Sequence, residues 1–548
     1  MKPVSIHQKI VLCWSVFSLV LTPPIAYAEA PPTPGAVLGT LPPSRSVLPS
    51  SPAQILLPES SALPVLDRNG KRFQVHAFHF VGNTAFSRMR LKRVVGRFVD
   101  LELNLYELNL AADAVTEFYR DHGYTLAHAI IPAQRVEDGV VTIAVIEGRV
   151  GRVLFSGNDS YSDAFLQARV SHLKSGKLVT SRDLERTLLL LNDLPGLTVR
   201  GTLAPGDKFG TSDILIKADE HRLAGSVAID NSGRSETGSV HRTVTGELNN
   251  PLGIGDQLTL NAVETDKGLT KSAGVGYSLP LGDDGWRLSA NYSNVNYDVS
   301  GTFAALGLSG SARTATLGLT YPLVRSRGHN EILSMGLRRT RLAQQTLGVT
   351  TSVVTLPVAD FSYASNSIDT DASVNNLMVK ASTNLRQQNA AGTRQDAELL
   401  RMEVDDNYLM PLDRYWSLYV RGALAYSHDR LPDSDKYSIG GPGSVRAYRA
   451  AELRGDTGYQ GTLEFRRMRN FGKMPGVVAL FYDIGHAIYK QPGHSDTSDT
   501  ISGFGVGLTL YPVRQAVLKL ELARAGRNSY HAADGHKSRV WLSLNFKF

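Results

Sequence analysis

The chain has 548 residues, 42% hydrophobic and 20% charged, with 50 Gly, 25 Pro, one Cys and a formal net charge of +7. One sulfur excludes an internal disulfide, and so small a net charge gives nucleic-acid binding no support from bulk electrostatics. Beyond the N-terminus no apolar run reaches 18 residues, which excludes a helical membrane bundle but not a transmembrane barrel, whose alternating strands hide their lipid face from any average.

Residues 1–28 read as a secretory signal. Lys2, His7 and Lys9 give a basic start, residues 10–21 an apolar core of 12, and Ala26-Tyr27-Ala28 a small-x-small exit after which cleavage is expected. Cys13 lies inside the apolar core behind Leu12, a poor lipoprotein attachment site. The mature chain then has no Cys, which removes thiol catalysis and Cys-based metal sites. Nine prolines fall between Pro31 and Pro64, and the longest stretch there without one, 35–41, is seven residues, too short for a stable helix. Residues 29–66 are therefore expected to form an extended, partly polyproline-II linker.

Between 67 and 219 the pattern changes to two copies of a small α/β unit. In the first, 67–148, a strand over 73–81 ends at Gly82-Asn83-Thr84, followed by helices over 87–98 and 106–121 and strands over 124–131 and 140–147. In the second, 149–219, a strand over 150–155 precedes Gly157-Asn158, helices over 162–172 and 181–192, and strands over 197–203 and 212–218. Each β-α-α-β-β copy predicts a three-stranded sheet backed by two helices, with an open edge that is either guarded or used to add a partner's strand. Arg88, Arg90, Lys92, Arg93 and Arg97 crowd one short helix. They read as a solvated face or as a contact for lipid headgroups or an acidic segment of a client. His76 and His79 have no further His or carboxylate at ligand spacing and read as ordinary residues.

From 220 to 548 the sequence is a series of short alternating runs punctuated by Gly, Asp, Asn and Pro. A strand end followed by a Pro-containing tight turn recurs at Asn250-Pro251-Leu252-Gly253, Leu279-Pro280-Leu281-Gly282, Tyr321-Pro322-Leu323, Met410-Pro411-Leu412-Asp413 and Tyr511-Pro512-Val513. Sixteen strands are expected, with short turns near 251, 281, 325, 369, 413, 473 and 513 on one rim and longer loops on the other. The even count puts both barrel ends on the short-turn side, beside the α/β units, as in outer-membrane barrels. At the end of the chain Val540, Leu542, Leu544, Phe546 and Phe548 alternate with Trp541, Ser543, Asn545 and Lys547, and Ala516, Leu518, Leu520 and Leu522 oppose Lys519 and Glu521. The charged face must look into a wet lumen, because a Lys on the lipid side would cost ~2–4 kcal/mol at mid-bilayer.

The longest outer loop, about 429–457, contains Gly440-Gly441-Pro442-Gly443-Ser444-Val445-Arg446-Ala447-Tyr448, then Arg454-Gly455-Asp456-Thr457-Gly458 and a strand with Leu463-Glu464-Phe465-Arg466. Phe481-Tyr482-Asp483-Ile484-Gly485 and a strand with Gly503, Gly505 and Gly507 come next. From about residue 67 onward the chain strongly resembles the two-partner secretion transporters, the ShlB/FhaC/HecB family of hemolysin secretion/activation proteins within the barrel-assembly and translocation superfamily. The resemblance implies two POTRA modules and a sixteen-stranded barrel whose outer loop folds back into the lumen. It also implies that Arg446 pairs there with an inner-wall acid, best matched by Asp483. Strand parity agrees: with Val478, Leu480 and Tyr482 toward lipid, Phe481 and Asp483 face inward. Val445, Ala447, Tyr448, Gly441, Gly443, Glu464, Arg466 and Gly485 are carried over as gating positions, and Phe546 and Phe548 as a signal to the barrel-assembly machinery. Ala447 stands where the family has Gly, which argues against a required positive φ. Relatives carry a plug helix ahead of the linker; the prolines here predict none, and at most a proline-rich strand or disorder.

The reading is a monomeric outer-membrane pore, with no cofactor and no metal, that captures an unfolded exoprotein in the periplasm and passes it to the cell surface. The client would be a large secreted hemolysin, adhesin or contact-dependent toxin. No GxxxxGK[ST] phosphate loop or GxSxG elbow is present, so the client's folding outside would drive transport. The alternative is an outer-membrane protein insertion factor of the same superfamily, whose members usually carry three or more POTRA modules. A solute porin leaves the modules unexplained, and no acid/base or nucleophile constellation favours an enzyme.

Overall fold

Most of the chain is organised by side chains that alternate between two solvents. The computed structural model describes residues 31–41, 54–56, 70–384, 388–389, 400–491, 493–526, 530 and 532–548; the expected signal sequence lies outside them. Sixteen long antiparallel strands, from Leu223–Asp230 to Ser538–Lys547, close into a barrel. Along the seventh strand, His329–Thr346, Leu333, Met335 and Leu337 are exposed on the outer wall, while Arg338 and Thr340 face the lumen. The barrel closes where Ser226 lies opposite Lys547 and Asp230 opposite Ser543. Phe548 extends that seam, since its N–H donates to Gly225 O at 3.0 Å and its carbonyl accepts from Gly225 N at 2.9 Å.

The connections 250–256, 282–285, 326–328, 369–373, 412–415, 472–473 and 511–515 are short and share one rim, as the turn punctuation predicts. The opposite rim carries the longer loops, except for the four-residue connection 266–269 and the two-residue turn at Leu347 and Gly348, with φ of 51° and 79°.

In the first α/β module, Ala77–Val81, Val140–Ile146 and His128–Ile130 form a three-stranded sheet. The strand expected over 73–81 breaks at His76, because Phe73–Val75 turns away to pair with Leu101–Leu103. The helix Leu105–Asp121 starts at a capping box, with Asn104 Oδ1 accepting from Glu107 N and Glu107 Oε2 from Asn104 N, both at 2.9 Å. Its buried face, including Leu108, Val115 and Tyr119, packs on the sheet.

The second module repeats the local chemistry of the first. Asn83 donates to Phe86 O at 2.8 Å, and Asn158 donates to Tyr161 O at 2.9 Å. A strand-end carboxylate closes each turn: Glu147 accepts from Thr84 N, Ala85 N and the Thr84 hydroxyl, and Glu220 from Ser160 N, Tyr161 N and the Ser160 hydroxyl. The preceding Gly82 and Gly157 have φ of +80° and +78°, where a Cβ would lie 2.3 Å from Val145 O and 2.6 Å from Ala218 O. The module docks on the short-turn rim through Arg325, which holds Asp193 at 2.9 and 2.8 Å, and through Arg169, whose Nη1 donates to Gly282 O at 2.6 Å.

The expectation that the linker holds no helix is overturned. Residues Pro34–Thr40 form a helix whose N-cap Thr33 accepts from Ala36 N at 3.3 Å. Proline is excluded from helix interiors, but Pro34 sits in the first turn, where its missing N–H has no partner to lose, and Pro42 falls after the end. Seven residues are marginal alone; here Val37 is buried against inward residues of the fifth to eighth barrel strands, among them Tyr297, Leu342 and Leu356. Further on, Gln54–Leu56 pairs in parallel with Leu197–Pro205 of the second module, opposite Arg200 to Thr202. That edge, read from the sequence as either guarded or used, is thus guarded by the protein's own linker, and the sheet has four strands.

Burial alone would raise the Glu147 carboxyl, but the hydrogen bonds from Ala85, Thr84 and Tyr119 outweigh it and hold its pKa below the usual value. A depressed carboxyl stabilises the fold above its unfolded pKa, and that stability is lost as pH falls through the folded value. Glu147→Gln should therefore weaken the 82–87 turn by about 1–3 kcal/mol at neutral pH, seen as faster amide exchange at Thr84 and Ala85. The wild-type chain should lose the same protection only in acid.

Candidate functional site

Loop 428–456 leaves the eleventh strand, Trp416–Ser427, and returns into the lumen before the twelfth, Thr457–Phe471. Tyr437–Ile439 and Leu453–Gly455 pair as its stem. At its tip Gly440 and Gly441 take φ of +112° and +94°, and Gly441 N donates to Tyr448 O at 3.0 Å. Val445, Ala447 and Tyr448 are buried with the stem and with Phe481 and Ala487 of the thirteenth strand, Met474–Tyr489. The wall is cut to receive them: a Cβ on Gly503 would lie 2.4 Å from Ala447 Cβ, and one on Gly485 2.4 Å from Ile439 Cγ2. Ala447 has no positive φ, as its identity implies. Gly443 meets nothing at its Cβ position and contributes its carbonyl, which accepts from Arg421 Nη1 at 2.6 Å.

Arg446 is the centre of this lid. Its Nε and Nη2 donate to Oδ2 and Oδ1 of Asp483 at 2.8 and 2.7 Å, and its backbone N–H to Asp483 Oδ2 at 3.2 Å. Its Nη1 donates to Glu464 at 2.6 Å and to Glu521 at 2.9 Å. The guanidinium carbon lies 3.4 Å from the centroid of the Phe481 ring, and Trp541 Nε1 donates to the Arg446 carbonyl at 2.7 Å. Arg446 is 3% exposed and Asp483 0%. Three carboxylates on one cation leave an excess of negative charge that Arg466, 2.7 Å from Glu464, and Lys519, 2.9 Å from Glu521, offset. Thr462 donates a further bond to Asp483 at 3.0 Å.

The lid has two further anchors. Arg449 joins Glu236 of the first outer loop at 2.6 Å to Glu452 at 2.8 Å, and Glu452 also accepts from Ala533 N at 2.8 Å. Asp433 binds Arg454 at 2.6 Å and also accepts from Gly35 N at 2.9 Å and the Thr33 hydroxyl at 2.5 Å, tying the luminal helix to the lid.

The structure joins Arg446 to Asp483, the pairing the resemblance implied, and brings Glu464, Arg466 and Phe481 to the same place. Alternation had already turned Glu521, Lys519 and Trp541 inward, but nothing local placed them at the lid. Arg88, Arg90, Lys92, Arg93 and Arg97 lie on the first module and are all exposed. Arg90 stacks over Phe86 and Phe118 at 5.1 and 5.3 Å. His76 meets Asp100 at 3.2 Å across an exposed surface, a partner that sequence spacing did not suggest. Phe546 and Phe548 are outward-facing and exposed at the seam.

A luminal lid held by one arginine, above a barrel with an α/β module on its short-turn rim, defines a known architecture. The sequence model for haemolysin secretion/activation protein ShlB/FhaC/HecB matches residues 210–510. The chain belongs to this family. A POTRA domain of ShlB type matches residues 73–148. The chain is 25% identical over 474 residues to the heme/hemopexin transporter protein HuxB of Haemophilus influenzae, covering 83% of each. It is 26% identical over 490 residues to the outer membrane transporter CdiB of Escherichia coli, covering 83% of this chain and 81% of the other. The solved structure of CdiB from Escherichia coli superposes with a TM-score of 0.72 at 21% identity, over 89% of this chain and 93% of that one. This member of the ShlB/FhaC/HecB family is an outer-membrane transporter of two-partner secretion, with its POTRA domain in the periplasm.

Because the Arg446 cluster is buried, Arg446→Ala leaves Asp483 without a cation and Glu464 and Glu521 with one each, and should cost about 3–5 kcal/mol of lid docking. Planar-bilayer recordings should then show larger or more frequent openings, and wild-type conductance would exclude the lock. Asp433→Ala should loosen the luminal helix without unseating Arg446. A Val37→Cys reporter should then label faster with a membrane-impermeant thiol reagent, while conductance through the lid changes less than in Arg446→Ala.

Proposed function

We propose that the protein exports a large, unfolded exoprotein, a hemolysin, an adhesin or a contact-dependent toxin, and that Arg446 with Asp483, Glu464 and Glu521 is its gate. The three-carboxylate hold on Arg446 carries this reading, because a barrel of sixteen strands is wide enough for an aqueous channel and needs an occluding element at rest. Val445, Ala447 and Tyr448 seat the lid, Gly441, Gly443 and Gly485 shape its turn and floor, and Arg466 and Phe481 complete its charge and packing. The heme/hemopexin transporter HuxB, the hemolysin transporter HpmB and the outer membrane transporter CdiB among the relatives support an exoprotein client.

In this proposal residues 67–148 and 149–219 are two POTRA modules that receive the client, the first by strand addition since the linker strand occupies an edge of the second, and 220–548 is the translocator. A signal at 1–28 and a linker at 29–66 precede them. The basic residues Arg88, Arg90, Lys92, Arg93 and Arg97 meet acidic stretches of the client. Phe546 and Phe548 present the barrel to the assembly machinery for insertion among outer-membrane lipids, and the working unit is a monomer. No catalysis is assigned, and folding of the client outside the cell supplies the direction of transport.

The test is export of a long, signal-bearing, repeat-rich protein encoded in the neighbouring reading frame. Deleting this gene should abolish surface display of that protein and leave other outer-membrane proteins at normal abundance. A general fall in outer-membrane proteins with that export intact would favour an insertion factor instead.

A further inference from the structure

The outer wall carries a group of arginines that translocation does not use. In the sixth strand, Leu308–Arg325, and the seventh, outward residues pair in rungs: Tyr321 opposite Leu333, Leu319 opposite Met335, Leu317 opposite Leu337. The next two rungs up are Ala315 opposite Arg339 and Arg313 opposite Arg341. All three arginines are exposed. Their inward neighbour Arg338 reaches Asp360 and Asp435 at 3.3 and 2.7 Å, whereas among the described residues Arg313, Arg339 and Arg341 meet no carboxylate. Arg313 donates only to Asn294 Oδ1, at 3.3 Å. Across the eighth strand, Val349–Ile368, Arg339 and Arg341 face Pro357 and Thr355.

Depth places this patch at a membrane boundary. Trp286 and Tyr321 stack at 4.5 Å beside the short-turn rim and mark the periplasmic interface. Eight residues separate Tyr321 from Arg313, about 26 Å along the strand at ~3.3 Å per residue and about 20 Å along the membrane normal at a tilt of ~40°. Arg313 and Arg341 therefore reach the edge of an apolar band ~25 Å tall, with Arg339 one rung deeper at about 15 Å and its long side chain directed to the same edge. Like charges directly opposite each other on a sheet are destabilising, and the Arg313/Arg341 rung has no protein anion to relieve it. Guanidinium groups with free donor edges match phosphate oxygens bidentately.

We propose that Arg313, Arg339 and Arg341 form a binding site for the phosphate groups of the outer-leaflet glycolipid, lipopolysaccharide in a Gram-negative envelope. The patch lies on the surface-exposed side of the membrane, away from the POTRA domain, so the ligand comes from the outer leaflet. Its bound phosphates would sit against the sixth and seventh strands, two of the four whose inner faces hold the luminal helix.

The full-length protein, in detergent, would be titrated with bis-phosphorylated lipid A, fully dephosphorylated lipid A and phosphatidylglycerol, and bound lipid counted by native mass spectrometry. The expected result is at least about ten-fold preference for the bis-phosphorylated form. The combined variant Arg313→Gln, Arg339→Gln and Arg341→Gln should reduce it to the level of the dephosphorylated lipid. Heat-modifiable gel migration would confirm that the variant is a closed barrel; if it is not, Arg341→Gln alone, which leaves the other two guanidinium groups in place, should still lower the preference. Equal binding of phosphorylated and dephosphorylated lipid A, or unchanged binding by the closed variant, would overturn the site. Phosphatidylglycerol binding as tight as lipid A would overturn its assignment to the outer-leaflet lipid.

Discussion

One guanidinium held by three carboxylates fastens the returning loop to the inner wall of the barrel. Asp483, Glu464 and Glu521 come from the thirteenth, twelfth and fifteenth strands, and Trp541, on the last, holds the Arg446 carbonyl. Arg446 therefore braces the wall from the twelfth strand to the one that forms the seam. That wall needs bracing, because the last strand meets the first over a shorter register than the first makes with the second. An apolar contact would also fill the lumen. An ion cluster differs in that its parts depend on one another: removing one charge leaves the others buried without it, whereas moving the whole loop out exposes them all to solvent.

The luminal helix uses a different kind of contact. Val37 is buried against a stripe of inward apolar residues, including Tyr297, Leu342 and Leu356, on the side of the barrel away from the carboxylates. Its polar end is held by Asp433, which belongs to the lid loop and also binds Arg454. One carboxylate thus serves two occluding elements, and displacing either leaves part of its acceptor capacity unfilled. Lid and helix are coupled through a side chain and not merely by sharing a lumen.

Much of the fold was legible because a barrel writes its solvent preference into every second residue. The turns, the strand count and the inward face of Asp483 all follow from that period. What was misread lay where tertiary contacts override local rules. The proline arithmetic over 31–64 excluded a helix from propensity alone, yet Pro34 falls at the one turn that tolerates it and the lumen supplies the packing that seven residues lack. The open edge of the second module was read correctly as an edge, but no local signal in Gln54–Leu56 says which strand it will join.

The site shows the same division. Arg446 and Asp483 could be paired because a recognisable loop motif and strand parity converged on them. Parity also turned Glu521 inward, but its meeting with Arg446 depends on how far the loop returns, a distance no periodicity encodes. The same parity separates Arg338 from Arg339. Adjacent in sequence, one points to two carboxylates in the lumen and the other to the membrane boundary with none. An arginine on the lipid side costs ~2–4 kcal/mol at the midplane and ~0–1 near an interface. A cluster that includes a like-charge rung can thus persist only at the headgroup level, where phosphate is the available counter-charge. The alternation that identifies a charged inner face as wet therefore also identifies a charged outer face as one that meets the polar edge of the bilayer.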